Sequence, residues 1–392
     1  MSDPRPVLAA ARRSPFGRYR GGLSHIRPDD LLAEVIRGLV AAVPSLDPAS
    51  IDDVYMGDSN GAGEDNRNVA RMSALLAGLP VTVPGVTLNR LCGSGAEAIV
   101  QAARAVRSGD IDIAIAGGVE SMSRAPYVLP KSDNALDPKM RLEQTTVGWR
   151  MVNPAMPKHW TDSRGECAQR SAEARGITRL EQDEWAVRSQ QLAAAAWDAG
   201  CHEGFVMPIA DVTTDESIRR DTTLEGLSAL KPAFTKDGSV TAGNSSTLND
   251  GAVATLITSQ AGAAELNLEP LGVILGSAVV ATEPDDFATA PVYAVRKLLA
   301  RQGLSFDDIA LYEINEAFAA MVLTVLHDLP EIDRAKVNPN GGAIAIGHPV
   351  GASAARVIAD TCRTLRRSGG GLGIATACIG VGLGIAVLVE VS

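Results

Sequence analysis

Residues 89–95 read NRLCGSG, with Cys92 set between the apolar run 81–88 and a helical pattern that starts at Ala96. Apolar residues recur at Ala96, Ile99, Val100, Ala103 and Val106, the spacing of one face of an amphipathic helix. Glycines 93 and 95 predict a sharp backbone turn around an uncrowded thiol. Cys92 is therefore expected at a helix N-terminus, where free N–H groups and the helix dipole favour the thiolate, the nucleophilic form. A lone cysteine is more often a small buried hydrophobe. Its reading as a nucleophile depends on what the rest of the chain brings to it.

Working outward, 392 residues are enough for two or three domains with separate cores. Apolar residues make up 46% and charged residues 21%, the proportions of a globular chain rather than a disordered one. A formal charge of -10 argues against the basic surface that non-specific nucleic-acid binding needs. The five cysteines (92, 167, 201, 362, 378) form no CxxC pair and the five histidines are scattered. Neither a zinc site nor a disulfide framework is indicated. The first residues lack an apolar signal core and no apolar run reaches membrane-spanning length, so a cytoplasmic protein with no membrane partner is expected.

An internal repeat emerges when Ile51 is set on Ile309: the same offset sets Leu46 on Leu304 and Gly93 on Gly351. Downstream, Arg107-Ser108-Gly109 matches Arg367-Ser368-Gly369 with a slightly longer shift. The stripe Ala354, Val357, Ile358 and Leu365, followed by a strand at 373–377, repeats the pattern after Cys92. A nearly constant offset across three elements marks a duplication. Two copies of a βα unit set are expected, 1–119 completed by 250–270, and 271–392. Their strands show no polar alternation, which predicts mainly parallel sheets covered on both faces. Residues 120–249 differ in texture, being richer in charge, Met, Trp and Pro, with a strong helical pattern at 179–200. They are expected to form an inserted loop domain. In the first copy, a helix over 30–43 is expected to be capped by Asp29 or Asp30.

The second copy carries the partners for Cys92. NPNGGAIAIGHPVGASA (338–354) places His348 just ahead of a helix, ACIGVG (377–382) places Cys378 in a glycine turn, and NEAF (315–318) presents Asn315 at a strand end. Singly, a helix-capping histidine, a cysteine in a tight turn and an asparagine in an Asx turn are ordinary structural features. The repeat, however, puts Cys92 and His348 at the starts of equivalent helices. A pseudo-two-fold axis would bring those starts face to face, nucleophile beside base.

Taken together, NRLCGSG, AGGVESMSRAP (116–126), INEAF, NGGAIAIGHPVGAS and CIGVG resemble the thiolases, the acetyl-CoA C-acyltransferase family, over essentially the whole chain. The resemblance implies an α/β thiolase fold: two duplicated βα halves in α/β/α/β/α layers, with an inserted loop domain. It implies no metal and no permanently bound cofactor, coenzyme A and acetyl-CoA being substrates. It also implies small-molecule acyl-CoA partners and a homo-oligomer, either a dimer or a dimer of dimers. By the same resemblance Cys92 carries the acyl group as a thioester, His348 takes its proton, and Cys378 is the second acid/base. Asn315 would position a water that shares one oxyanion hole with His348. The backbone N–H groups of Cys92 and Gly380 would form the other.

Ser246 resembles the family's serine after the loop domain, although Thr247 departs from the usual pattern, and the resemblance sets Arg219 and Arg220 where a basic residue commonly meets the nucleotide end of CoA. The resemblance also implies that Arg164 and Cys167, standing where relatives often carry Met and Thr, flank the acyl pocket. GAGEDNRNVARM (61–72) and TTVGWRMVNPAM (145–156) resemble the 3-oxoadipyl-CoA thiolases of aromatic-compound degradation more than the acetoacetyl-CoA enzymes. An acyl chain ending in carboxylate needs a cation, which Arg164, Lys158 or Arg150 would supply. The expected function is acyl transfer between CoA thioesters through a Cys92 acyl-enzyme, with 3-oxoadipyl-CoA as a substrate. The alternatives are a short-chain acetoacetyl-CoA acetyltransferase and a non-catalytic acyl-CoA or lipid carrier. Ketosynthases and hydroxymethylglutaryl-CoA synthases share the two-copy fold, but they lack a cysteine at the position of Cys378.

Overall fold

The computed structural model describes residues 5–132, 134–136 and 140–392. The first copy of the repeat runs through β1 (Pro6–Arg13), β2 (Gly17–Arg18), α1 (Pro28–Ala41), β3 (Asp53–Gly57), α2 (Val69–Leu76) and β4 (Val86–Leu88). It continues with α3 (Ser94–Ser108) and β5 (Ile113–Ser121). A long excursion then carries β6 (Tyr127–Val128), β7 (Glu143–Gln144), α4 (Arg164–Ala174), α5 (Arg179–Asp198) and α6 (Leu224–Ser228). The chain returns through β8 (Asn249–Ser259) and α7 (Gln260–Glu265).

The second copy is β9 (Gly272–Ala281), α8 (Ala290–Gln302), β10 (Ile309–Ile314), α9 (Ala319–Asp328), α10 (Ala343–Ile346), α11 (Val350–Arg367), β11 (Gly371–Ile379) and β12 (Leu383–Val391). Strand order makes the duplication visible. The first half runs β4-β3-β5-β8-β1, and the second runs β10-β11-β12-β9. Val337 bridges Tyr312 of β10 in parallel, where β4 lies in the first half. Two residue pairs between β1 and β9, Val7 with Val273 and Leu8 with Gly272, join the half-sheets.

The sheets are mixed, and the expectation of mainly parallel strands does not hold. β3 is parallel to β4 and β5, and β10 is parallel to β11, as crossover connections through helices require. The pairs β1–β8, β5–β8, β11–β12 and β9–β12 are antiparallel. β5, β8, β11 and β12 are buried on both faces because helices cover the sheets on either side. Missing polar alternation therefore reports burial, not strand direction.

Helices α3 and α11 pack together between the half-sheets, where Ala96, Ile99 and Val100 meet Ala354, Val357 and Ile358 in one buried cluster. α1 and α2 cover the outer face of the first half, with Leu32, Val35 and Ala70 among residues packed with Val54 and Ile115. α8 and α9 cover the second, with Leu298, Met321 and Val322 packed with Ile314 and Ile374. The result is the five-layered α/β/α/β/α arrangement. Ile358 has no exposed surface in the central layer, so its truncation to alanine costs roughly 2–5 kcal/mol.

One helix start differs from expectation. Arg27, in extended conformation, is the N-cap of α1, and Pro28 opens the helix, since its fixed φ and missing N–H suit the first turn. Asp29 holds the Arg27 guanidinium at 2.9 and 2.7 Å instead of capping. Among the described residues, no helix is long and apolar enough to cross a membrane.

Candidate active site

Cys92 lies in a single tight turn, Leu91–Gly93, that runs directly into α3. The helix N-terminus is where the sequence pattern puts it, but the turn is made differently. Leu91 takes the left-handed conformation, φ 47°, while Gly93 has an ordinary φ of -93°. Gly93 and Gly95 instead admit the second half of the chain. A β-carbon on Gly93 would come within 2.4 Å of Ile379 Cδ1, and one on Gly95 within 2.9 Å of Gly351 O.

The thiol of Cys92 is buried, and burial pushes its pKa up; the Arg164 charge and the backbone N–H groups of Gly380 and Cys92 pull the other way without overcoming it. This corrects the expected thiolate. Desolvation outweighs the helix terminus, so the resting residue is a thiol and needs a base.

His348 immediately precedes α11, and its backbone N–H donates to Asn249 Oδ1 at 2.9 Å. Its Nδ1 lies 2.7 Å from Ser353 Oγ, whose own hydroxyl donates to Pro349 O at 2.8 Å. With the Ser353 hydroxyl proton given to Pro349 O, Ser353 accepts from Nδ1–H, and we assign this tautomer to His348. Nε2 is left unprotonated, buried and without a partner among the described residues. Burial, reinforced by the charges of Arg356 and Arg164, lowers the pKa of His348 to about 3. The ring is neutral and able to accept a proton.

Cys378 closes β11, and burial with Cys92 as neighbour pushes its thiol far above the usual cysteine range. Gly380 follows in a turn whose next residue, Val381, is left-handed at φ 58°. Asn315 follows β10, and its N–H donates to Thr376 O at 2.9 Å. Both ends of its side-chain amide are buried with no partner among the described residues. An unsatisfied buried polar group costs roughly 1–3 kcal/mol, which marks this amide as waiting for a ligand or a water. Cys92, His348, Cys378, Gly380, Ser246 and Arg164 line one cavity of about 210 Å³.

The two copies that build this cavity also match family models separately. Residues 6–261 match the model described as thiolase, N-terminal domain, and residues 268–391 match thiolase, C-terminal domain. The chain belongs to the thiolase family.

Curated relatives agree along the full length of this thiolase. A β-ketoadipyl-CoA thiolase of Acinetobacter baylyi is 48% identical over 394 residues, covering 98% of both chains. A 3-oxoadipyl-CoA/3-oxo-5,6-dehydrosuberyl-CoA thiolase of Escherichia coli is 48% identical, covering 96% of this chain and 97% of its own. Among solved structures, human mitochondrial 3-ketoacyl-CoA thiolase in complex with CoA superposes with a TM-score of 0.93 at 36% identity, covering 100% of this chain and 99% of its own. A Bacillus anthracis acetyl-CoA acetyltransferase gives 0.91 at 38% identity, covering 99% of each.

Two of the expected binding residues of this thiolase lie outside the cavity. Arg219 and Arg220 are exposed, and the guanidinium of Arg220 is engaged by Asp198 at 2.8 and 2.9 Å. Arg219 is tethered through its backbone N–H to Gln190 Oε1. Ser246, by contrast, is held in the cavity wall by a bond from its N–H to Ala317 O at 3.0 Å, beside the NEAF segment.

Three residues of the site escaped the sequence reading. Ser353 and Asn249 set the ring and backbone of His348, as above. Glu316 accepts from Trp185 Nε1, Ser189 Oγ, Asn338 Nδ2 and the Ile344 N–H at 3.0, 2.6, 3.0 and 3.2 Å. It thereby ties α5 to the glycine-rich loop ahead of His348. Its position next to Asn315 in NEAF was the available signal. Behind Cys92, Glu120, Asp58 and Asp65 form a buried acidic group. Burial and mutual repulsion raise Asp58 to about 9, and burial raises Glu120 to about 7.

Proposed function

We propose that this thiolase cleaves 3-oxoadipyl-CoA with coenzyme A and runs the reverse Claisen condensation through the same acyl-enzyme. The observation that carries the reading is the convergence of Cys92, His348, Cys378 and Gly380 on one cavity, in a chain similar along its length to β-ketoadipyl-CoA thiolases. Cys92 Sγ attacks the C3 carbonyl as its proton passes to His348 Nε2. Because the imidazole is a weak base here, proton transfer is coupled to formation of the C–S bond. The C2–C3 bond then breaks, the acetyl-CoA enolate takes the Cys378 proton, and the acyl chain stays on Cys92. CoA thiol, giving its proton to the Cys378 thiolate, attacks that thioester; the Cys92–acyl bond breaks, the shortened acyl-CoA leaves, and Cys92 takes its proton back from His348.

The N–H groups of Cys92 and Gly380 serve one oxyanion. A water on Asn315, with the newly protonated His348, serves the other. Cys378 suits the acid role because its raised pKa keeps the proton in place until a strongly basic enolate forms. For CoA, Ser246 is assigned to the pantetheine path and exposed Arg219 to the nucleotide end. We assign 1–119 with 250–270, 120–249, and 271–392 as the first half, loop domain and second half. A homo-oligomer, dimer or dimer of dimers, accounts for exposed Leu129, Leu142 and Met151 in the excursion after β5, and sedimentation of the purified chain tests it.

The deciding experiment is CoA-dependent thiolysis, followed by loss of enolate absorbance, with 3-oxoadipyl-CoA and acetoacetyl-CoA compared side by side. Faster turnover of 3-oxoadipyl-CoA is expected. Equal or better use of acetoacetyl-CoA would move the enzyme to general short-chain metabolism, and turnover of neither would overturn the reading.

A further inference from the structure

Beside the main cavity lies a second, of about 120 Å³, which shares Cys92, Met122, Trp149 and Arg164 with it and adds Glu120 and Arg150. We infer that Arg164 and Arg150 together hold the terminal carboxylate of the acyl chain, making this smaller cavity a site for short acid-ended 3-oxoacyl-CoA substrates. The inference rests on the thiolase reaction proposed above and names the residues that choose its substrate.

The charge balance of the cavity supports it. Arg164 packs its guanidinium over the Trp149 ring, 4.8 Å from the ring centre, and against Gly380, where a β-carbon would lie 2.3 Å from Arg164 Cζ. Among the described residues it has neither a carboxylate partner nor a hydrogen-bond acceptor. Of the other arginines drawn inward, Arg13, Arg175 and Arg356 are ion-paired with Asp215, Asp328 and Asp360, while Arg188 and Arg363 donate to backbone carbonyls. Arg150 donates to Asn60 Oδ1 at 2.8 Å, a neutral acceptor that fixes its position, and among the described residues it has no carboxylate partner. Asn60 is itself held by Thr145 at 3.0 Å.

The acidic member of the lining is already engaged. Glu120 Oε2 accepts from the Ser59 N–H at 3.1 Å, the Ser59 hydroxyl at 2.6 Å and the Gly351 N–H at 2.9 Å. Among the described residues, two guanidinium groups without carboxylate partners therefore line the cavity beside one carboxylate whose Oε2 already accepts three bonds, and the cavity favours an anion. Planar guanidinium groups suit a carboxylate better than an ammonium does. Lys158, the third candidate from the sequence, is exposed and borders neither cavity.

Size and position add a limit. At about 120 Å³ the cavity has room for a few methylenes and a carboxylate. Arg164 and Cys92 meet across Gly380, whose N–H reaches Cys92 while its α-carbon touches the guanidinium. A carboxylate only two methylenes beyond the attacked carbonyl, as in the succinyl group, matches that closeness.

The test compares 3-oxoadipyl-CoA with 3-oxohexanoyl-CoA, equal in chain length and different only in the terminal group. Thiolysis is measured for the wild type, Arg164→Gln, Arg164→Lys and Arg150→Gln. The wild type should favour the acid in kcat/KM, and Arg164→Gln should lower the acid-to-neutral ratio by roughly ten- to a hundredfold, the range of a charge-assisted hydrogen bond. Arg150→Gln should lower it less, and Arg164→Lys should fall between. The ratio cancels any shared effect of Arg164 on Cys92 or on folding. A wild type that cleaves both substrates equally well, or variants that leave the ratio unchanged, would overturn the inference while the thiolase stands. A wild type that cleaves neither would instead overturn the underlying reaction.

Discussion

Ser353 accepts a hydrogen bond from Nδ1 of His348 at 2.7 Å because its only proton is committed to Pro349 O at 2.8 Å. A residue five positions along the chain thus sets which imidazole nitrogen serves as base. Ser353→Ala should lower kcat by roughly ten- to a hundredfold, from about 1–3 kcal/mol for an unsatisfied buried donor and a less well-oriented ring. Ser353→Thr keeps the hydroxyl and should recover most of the rate. Steady-state thiolysis alongside thermal melts checks this; an alanine variant with unchanged kcat would refute the assignment.

Alkylation of Cys92 follows the fraction present as thiolate. With burial raising its pKa above the ordinary cysteine value, carbamidomethylation by iodoacetamide should accelerate continuously to beyond about pH 9. Peptide mass mapping separates Cys92 from the half-buried Cys201. Arg164→Gln removes a charge that lowers this pKa and should displace the profile further to the alkaline side. A plateau near neutral pH would show that the helix terminus and Arg164 outweigh burial.

Asn315 carries a buried amide with neither end satisfied by the described residues. If it holds a water against a developing oxyanion, Asn315→Ala should lower kcat by about a hundred- to a thousandfold with little change in KM, the usual consequence of losing one such donor. A large KM effect with normal kcat would assign Asn315 to ground-state binding instead.

Asp58 keeps its proton in the folded protein up to about pH 9, whereas in the unfolded chain it loses it near the ordinary aspartate value of 3.8. Through that window the unfolded state binds fewer protons, so this group's contribution to stability falls as pH rises. Glu120 acts in the same direction up to about pH 7. His348 and His202, lowered to about 3 and about 4, act oppositely: their contribution is complete above the unfolded value of 6.5 and is lost as pH falls toward the folded values. Stability should therefore decline on both sides of a weakly acidic to neutral maximum. Asp58→Asn should flatten the alkaline side alone, read as a smaller change in urea midpoint between about pH 6 and pH 8.5. An equal alkaline slope in the variant would contradict it.

Much of this architecture was legible because duplication leaves an offset and catalysis leaves dense glycine-rich motifs around Cys92, His348 and Cys378. Strand direction was not legible. β5 pairs with β8 across more than a hundred intervening residues, and burial on both faces erases the alternation that would have distinguished it. The state of the Cys92 thiol was not legible either, since a helix start is visible in a motif and the depth of its burial is not. Ser353 stood in plain view in the motif GHPVGAS, yet only the geometry of the first turn of α11 shows that it faces the imidazole. Arg150 and Arg164 were separable from Lys158 only once two cavities were seen to share a wall.

The turn between β11 and β12 spans residues 380–382, and at the equivalent place in the first half the chain travels from Ser121 to Asn249. Topologically the two pairings are one; kinetically they are unequal. Closing the longer loop carries about 3 kcal/mol of additional entropic cost, so the β11–β12 hairpin is expected to nucleate early and β8 to dock late. Pulse-labelled hydrogen exchange during refolding should find the amides of β11 and β12 protected before those of β5 and β8. Because β8 inserts between β5 and β1, the first half is expected to remain incomplete on the ribosome until its last strand, well past the middle of the chain, has been made.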